Sequence, residues 1–284
     1  MEFKPFSNED NPLRRFLLFV FARYIEIPLL LLCYQLLRGK WKRVGQIGWF
    51  KKIAGIALAR PFGYLGDSAR PIPYDELIKL IDAQDGPIAV GPCRCRIGHK
   101  ACSHPMETDM VFRTGYYAWM KAFPKDYRQI SKEEARAIIR SCHEKKMFHM
   151  VFIHCPVNLY NEYAICNCCI CGCVPYIINR ELGQLDYPLI DGFFTAQTDR
   201  EKCKDCSKCI EICPFEARKL VDGKSLTAEN CFGCGLCIYE CPEKAISMKK
   251  LREPILERDP AGNAPSGYRP RLYKQHEDYS EKLK

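Results

Sequence analysis

Four cysteines spaced C-x2-C-x2-C-x3-C and closed by proline occur twice in this 284-residue chain, as CKDCSKCIEICP over 203–214 and as CFGCGLCIYECP over 231–242. No other feature restricts the fold so strongly. Three thiols two residues apart fall on one tight loop and converge on a common centre, while the fourth is carried away from it. Near neighbours in sequence rarely reach disulfide geometry without strain, and the odd total of 19 cysteines argues the same way. Metal–thiolate sites in a reducing compartment account for the spacing. A tetrahedral zinc site needs only four thiolates and leaves the doubling and the trailing prolines unexplained, whereas a pair of iron–sulfur cubes explains both.

When the fourth cysteine of each set serves the other cube, Cys203, Cys206, Cys209 and Cys241 hold one [4Fe-4S] cluster. Cys231, Cys234, Cys237 and Cys213 then hold the second. Gly233 and Gly235 give the second loop room near inorganic sulfide, where the first loop has Asp205 and Ser207. Short helices are expected after each proline, over 214–220 and 242–248. At these residues the chain resembles bacterial-type 2[4Fe-4S] ferredoxins, over roughly 192–250. The resemblance implies pseudo-twofold βαβ repeats, low-potential electron transfer, and no substrate chemistry in the domain itself.

Upstream lie ten more cysteines between Cys93 and Cys173. A helix is expected over 74–82, a buried strand over 87–90 running into GPCRCR, and a helix from Lys132 opened by the capping box of Ser131 and Glu134. A second strand over 147–155 leads by a loop into AICNCCICGC. Two strand ends that each feed a cysteine run are expected to meet in space. Nine thiols are candidate ligands: Cys93, Cys95, Cys102, Cys155, Cys166, Cys168, Cys169, Cys171 and Cys173. Adjacent Cys168 and Cys169 point different ways on a regular backbone, which favours two centres over one cube with spare thiols. One or two further iron–sulfur clusters are expected in 93–173, with a structural zinc site as the alternative. Cys142 reads as a core residue inside its helix; His99 and His104, which flank Cys102, admit a noncysteine ligand, although neighbours of a site are the commoner case. Arg94 and Arg96 offset thiolate charge, and Glu107 is expected to orient one of them.

The pattern P-C-x-C-R … C-x-x-P-x-E over 92–107, followed by C-N-C-C-x-C, resembles a group of membrane- or reductase-associated iron–sulfur proteins in which a Cys-rich module precedes a dicluster domain. That group has a cysteine two residues after the glutamate, where this chain has Asp109, and a third consecutive cysteine near Gly172. The substitution at Asp109 admits a second reading, an enzyme whose middle cluster keeps one iron open for substrate. A third reading is an iron–sulfur assembly or carrier protein.

Charge is concentrated at the start. Residues 1–60 hold eleven Lys or Arg against four Asp or Glu, a net +7 out of the chain's +9. The run FLLFVFARYIEIPLLLLCYQLL over 16–37 has the length of a membrane span, yet Arg23, Glu26 and Pro28 interrupt it. Arg23 and Glu26 are spaced to pair with each other on one helical face. IGWFKKIAGIALARPF over 47–62 has the pattern of a helix lying in a membrane interface, the alternative being a helix packed on its own protein. Long aliphatic runs between the basic residues argue against nucleic acid. No glycine fingerprint for a dinucleotide and no P-loop is present.

The expectation is an α+β protein with membrane-associated helices over 1–70, a mixed α/β Cys-rich module over 71–190, a dicluster domain over 191–250 and a polar tail over 251–284. Its function would be electron transfer as a subunit or partner of a larger reductase. Its partners would be a redox protein or complex and a membrane surface, and it would sit peripherally or monotopically on the cytoplasmic side.

Overall fold

The computed structural model describes residues 16, 19–54, 68–84, 86–100, 102–153, 162–182, 189, 192–221, 224–228 and 230–251. Cys155, the tail from 252 onward and the second half of the 47–62 stretch lie outside them.

A π-helical turn (Phe21–Ile25) runs into α1 (Glu26–Leu37), followed by α2 (Lys42–Gly45) and α3 (Gly48–Ala54). Pro28 falls in the first turn of α1, where its missing N–H costs little, and the irregular turn lies just before it. Leu30, Cys33 and Leu37 share one buried face of α1 and join the apolar core of the protein. No helix among the described residues is long and apolar enough to cross a membrane. The expected Arg23–Glu26 pair does not form. Glu26 turns inward to Arg94, and Arg23 lies over the Phe123 ring at 5.7 Å.

The centre is a six-stranded sheet of β1 (Ser68–Ile72), β2 (Ile88–Pro92), β3 (Glu107–Phe112), β4 (Arg128–Ile130), β5 (Phe148–Ile153) and β6 (Glu162–Cys168), in the order β1-β5-β6-β3-β2-β4. Every neighbouring pair is antiparallel. The chain between strands supplies α4 (Tyr74–Asp82), α5 (Arg94–His99), α6 (Arg113–Ala122) and α7 (Lys132–Glu144), and α8 (Val174–Leu182) follows β6. Ser131 Oγ accepts from Glu134 N at 3.1 Å and opens α7, whose Ala135, Ile139 and Cys142 line its buried face. The first half of AICNCCICGC is the end of β6. Its alternation carries Ala164, Cys166 and Cys168 to one face and Ile165 and Asn167 to the other.

That alternation divides the molecule. Val90, Met110, Val151 and Ile165 face α4 and α7 in one apolar cluster. Ala89, Val111, Met150, Phe152, Ala164 and Cys168 face α1, α6 and α8 in another.

The last part of the chain folds as β7 (Phe194–Thr198), α9 (Lys208–Glu211), β8 (Arg218–Val221), β9 (Lys224–Thr227), α10 (Leu236–Tyr239) and β10 (Ile246–Lys250). Strands β7 and β10 pair, as do β8 and β9, so two βαβ halves interlock. The helices expected over 214–220 and 242–248 are turns and strands instead. The amides of Ala217 and Ala245 donate to the sulfurs of Cys213 and Cys241, each at 3.3 Å, rather than to a helical carbonyl. Glu216 and Lys244 take left-handed φ of 51° and 49°, which stops any helix from propagating.

This unit does not stand apart. Phe215 and Phe232, stacked with centroids 4.5 Å apart, pack with Phe148 and Tyr176 in the same core as Cys168, Cys173 and Cys234. Tyr176 Oη donates to the Pro214 carbonyl at 2.7 Å.

Candidate metal centres

The repeat is visible in backbone conformation. Asp205 and Gly233, Ser207 and Gly235, and Glu216 and Lys244 are each 28 positions apart and all have positive φ. Each loop therefore turns left-handed twice before its helix. In the second loop only glycine fits, because a Cβ at Gly233 would stand 2.1 Å from the Phe194 carbonyl oxygen. In the first loop, Asp205 meets the strain with a polar side chain that accepts from Cys203 Sγ at 3.5 Å. The third cysteine of each set, Cys209 or Cys237, sits inside its short helix, and the fourth, Cys213 or Cys241, lies beyond the helix end.

Cys213, Cys231, Cys234 and Cys237 line one cavity of about 20 Å³ together with Phe215, Phe232 and Met248. The thiol of the first set has crossed to the second. Cys209 and Cys241, from opposite halves, share a second apolar cluster with Cys231, Cys237, Ala196 and Ile246. Arg218, buried, reaches Cys209 Sγ at 3.8 Å and Ser225 Oγ at 3.0 Å, so a cation and a hydroxyl stand beside that thiol. Cys206 is exposed at the rim, while Cys203 and Cys209 are buried. Burial pushes the Cys237 thiol up to about 12 and Cys234 well above the ordinary cysteine value. Desolvation of this kind keeps a free thiol protonated, and a bound metal would hold it as a thiolate.

The middle cysteines divide in two. Cys93, Cys95, Cys166, Cys168 and Cys173 line a cavity of about 50 Å³ against the sheet. Its walls include Phe21, Glu26 and Leu30 from the N-terminal helices, Trp119 from α6 and Met150 from β5. Cys93 closes β2 and precedes α5, with its amide held by the Met106 carbonyl at 2.7 Å. The Val174 amide donates to Cys95 Sγ at 3.4 Å. Cys169 faces away from its neighbour Cys168 and joins Cys102, Cys171 and His104, whose ligand atoms all lie within 4.8 Å of one another. Cys142 stays on the buried face of α7 and belongs to neither group, and burial raises its thiol to about 11.

Asp109 sits opposite Cys166 in the β3–β6 register, and its Oδ1 accepts from Cys166 Sγ at 3.1 Å. Tyr127 Oη donates to its other oxygen at 2.5 Å. Burial raises the Asp109 carboxyl pKa, and the Tyr127 hydrogen bond opposes that rise. Gly91 makes room for the arrangement, since a Cβ there would lie 2.5 Å from the Tyr127 ring. Glu107 does not orient Arg94 or Arg96. It is exposed and pairs with Arg128 at 3.2 Å, because its position at the start of β3 points to solvent. Arg94 pairs with Glu26, and fully buried Arg96 reaches Thr108 Oγ1, the Asn167 carbonyl and Cys169 Sγ.

Spacing rules in the sequence missed Glu26, Tyr127 and Asn167. His104, two residues from Cys102, reads from sequence as a neighbour or a noncysteine ligand, and the structure groups it with Cys102, Cys169 and Cys171. Gly172 also acquires a reason. A Cβ there would meet His99 Cε1 at 3.1 Å and Cys102 Sγ at 3.4 Å, so a cysteine would crowd both. Burial keeps His99 below its ordinary pKa; neutral, it donates from Nε2 to the Gly172 carbonyl at 2.7 Å while stacking on Tyr34.

A family model described as a 4Fe-4S dicluster domain matches residues 195–242, and the chain accordingly carries such a domain. No curated protein matches the chain.

Proposed function

We propose that this protein transfers electrons between a redox partner and the metal centre of its middle module, as a membrane-surface subunit or partner of a larger reductase. The observation that carries the reading is the common apolar core. Cys234 of the dicluster domain and Cys168 and Cys173 of the middle module belong to one packed cluster, bridged by Phe148, Tyr176, Phe215 and Phe232. Bound iron–sulfur clusters would supply one-electron redox chemistry. The chain's own residues exclude water from the bridge, fix the thiols and set local charge through Arg218 and Arg96. In this reading Cys203, Cys206, Cys209 and Cys241 hold one cluster, and Cys213, Cys231, Cys234 and Cys237 the other. Cys93, Cys95, Cys166, Cys168 and Cys173 supply the ligands of the middle cluster.

Support for a membrane surface comes from α2 and α3 rather than from α1. Trp41, Val44, Ile47, Trp49 and Ile53 are exposed beside exposed Lys40, Lys42 and Arg43, a combination suited to anionic headgroups on the cytoplasmic leaflet. The enzyme reading has one observation in its favour. Both Nη atoms of buried Arg94 lack a hydrogen-bond partner among the described residues, at a wall of the middle cavity.

Anaerobic iron and sulfide counting with EPR on the dithionite-reduced full chain tests the proposal. More than eight irons per chain, with magnetic coupling between reduced clusters, is the expected result. A colourless protein without labile sulfide would overturn it.

A further inference from the structure

We propose that Cys102, His104, Cys169 and Cys171 hold a single tetrahedral zinc ion, distinct from the iron–sulfur chemistry of the chain. Of the nine candidate thiols of the middle module, five then line the cluster cavity and three hold zinc.

The argument is one of size. Cys171 Sγ lies 3.0 Å from Cys169 Sγ and 3.6 Å from His104 Nδ1, and Cys102 Sγ lies 3.6 Å from Cys169 Sγ. No two of the four ligand atoms are more than 4.8 Å apart. Four ligands on one zinc, with Zn–S bonds of about 2.3 Å and Zn–N of about 2.0 Å, form a tetrahedron whose edges are about 3.5–3.8 Å. Thiolates on the corners of a cube stand much farther apart, because an iron–iron edge and two iron–sulfur bonds separate each pair. Four ligand atoms this close together fit around one ion and are too near one another to sit on the four irons of a cube.

The donor set agrees. Three thiolates and one imidazole make a common closed zinc site. Arg96, fully buried, stands 3.9 Å from Cys169 Sγ and offsets the net negative charge that three thiolates leave on zinc. Cys169 is buried and the other three ligands are half-buried, as befits a structural ion near the surface.

Its place in the chain gives the ion a task. Cys169 and Cys171 belong to the turn between β6 and α8, and Cys168 and Cys173, on either side of that turn, line the neighbouring cavity. An ion clamping the turn to the 102–104 segment fixes the separation at which Cys168 and Cys173 are presented. Zinc has no redox chemistry of its own, so it holds this geometry through electron transfer.

The test is zinc and iron counting by mass spectrometry on the same anaerobically purified full-length samples, from cells supplied with both metals. One zinc per chain is expected, with X-ray absorption at the zinc edge showing three sulfurs and one nitrogen. His104→Ala and Cys171→Ser should lower zinc at least tenfold, while the dicluster EPR signal persists and reports that the chain is folded. His104→Cys, which keeps four donors, should retain zinc and convert its shell to four sulfurs. Absence of zinc from the wild-type protein, or its retention in both ligand-deleted variants, overturns the proposal. Iron is counted independently, so failure here leaves the electron-transfer reading standing, and the converse also holds.

Discussion

Glu26, in the first turn of α1, accepts from Arg94 Nε at 3.0 Å across 68 residues of sequence, and both side chains are buried. Arg94 lies between Cys93 and Cys95, so the N-terminal helix is tied to the backbone that presents two of the candidate ligands. The guanidinium also lies over the Phe123 ring at 3.8 Å. Burial pushes the Glu26 carboxyl up to about 7 although Arg94 pulls it down. The run that reads as a membrane span supplies a wall of the cavity lined by five candidate cysteines.

Glu26→Ala leaves a buried arginine without its partner, a change that costs about 3–5 kcal/mol. The thermal midpoint should fall, and iron should be lost from the middle module before the dicluster domain. Equal iron content and an unchanged midpoint would show that the pair does not hold the module together.

Tyr127→Phe removes the donor to buried Asp109 and should cost about 1–3 kcal/mol. Gly91→Ala should be at least as damaging, since its methyl would overlap the Tyr127 ring. Denaturant midpoints of both variants check this. A neutral Gly91→Ala would mean that Tyr127 does not sit on Gly91.

Acid should weaken the protein through His149. Its Nδ1 donates to Asn167 Oδ1 at 2.6 Å, its Nε2 faces His143, and burial holds its pKa down at about 4. The unfolded chain takes up this proton near pH 6.5, so the stability is complete above that pH and falls as pH drops toward 4. The loss amounts to about 3 kcal/mol. Replacing His149 with Gln should flatten this part of the stability profile, measured by denaturant titration between pH 7 and pH 4. An unchanged slope would assign it to other groups.

The two halves of the dicluster domain should respond differently to glycine. Gly235→Ala places a methyl 3.0 Å from Pro73 Cβ at a φ of 78° and should destabilise the domain by about 1 kcal/mol or more. Ser207→Gly, at the equivalent left-handed position, should be neutral or stabilising by up to about 1 kcal/mol. Rates of cluster loss in air report both changes.

Replacing Trp41, Trp49 and Ile53 together with serine should abolish co-sedimentation with vesicles containing anionic lipid and leave the iron content unchanged. Retention on vesicles would place the contact elsewhere on the chain.

The local features of the chain were legible in its sequence. The doubled cysteine spacing pointed to a dicluster domain, the capping box marked the start of α7, and short apolar runs marked β2 and β5. Each is a short-range consequence of backbone geometry, readable within a few residues. Tertiary structure decided what depends on distant partners. The short helices of the dicluster domain lie before the prolines because sulfur, rather than carbonyl oxygen, takes the Ala217 and Ala245 amides. Arg94 pairs with Glu26 rather than Glu107 because α1 packs against α5, while Glu107 opens β3 at the solvent and takes Arg128. An apolar run with an acidic residue in it has no single fate by itself. Whether it enters lipid or packs on protein depends on whether a buried cation waits to receive the acid, and here Arg94 does.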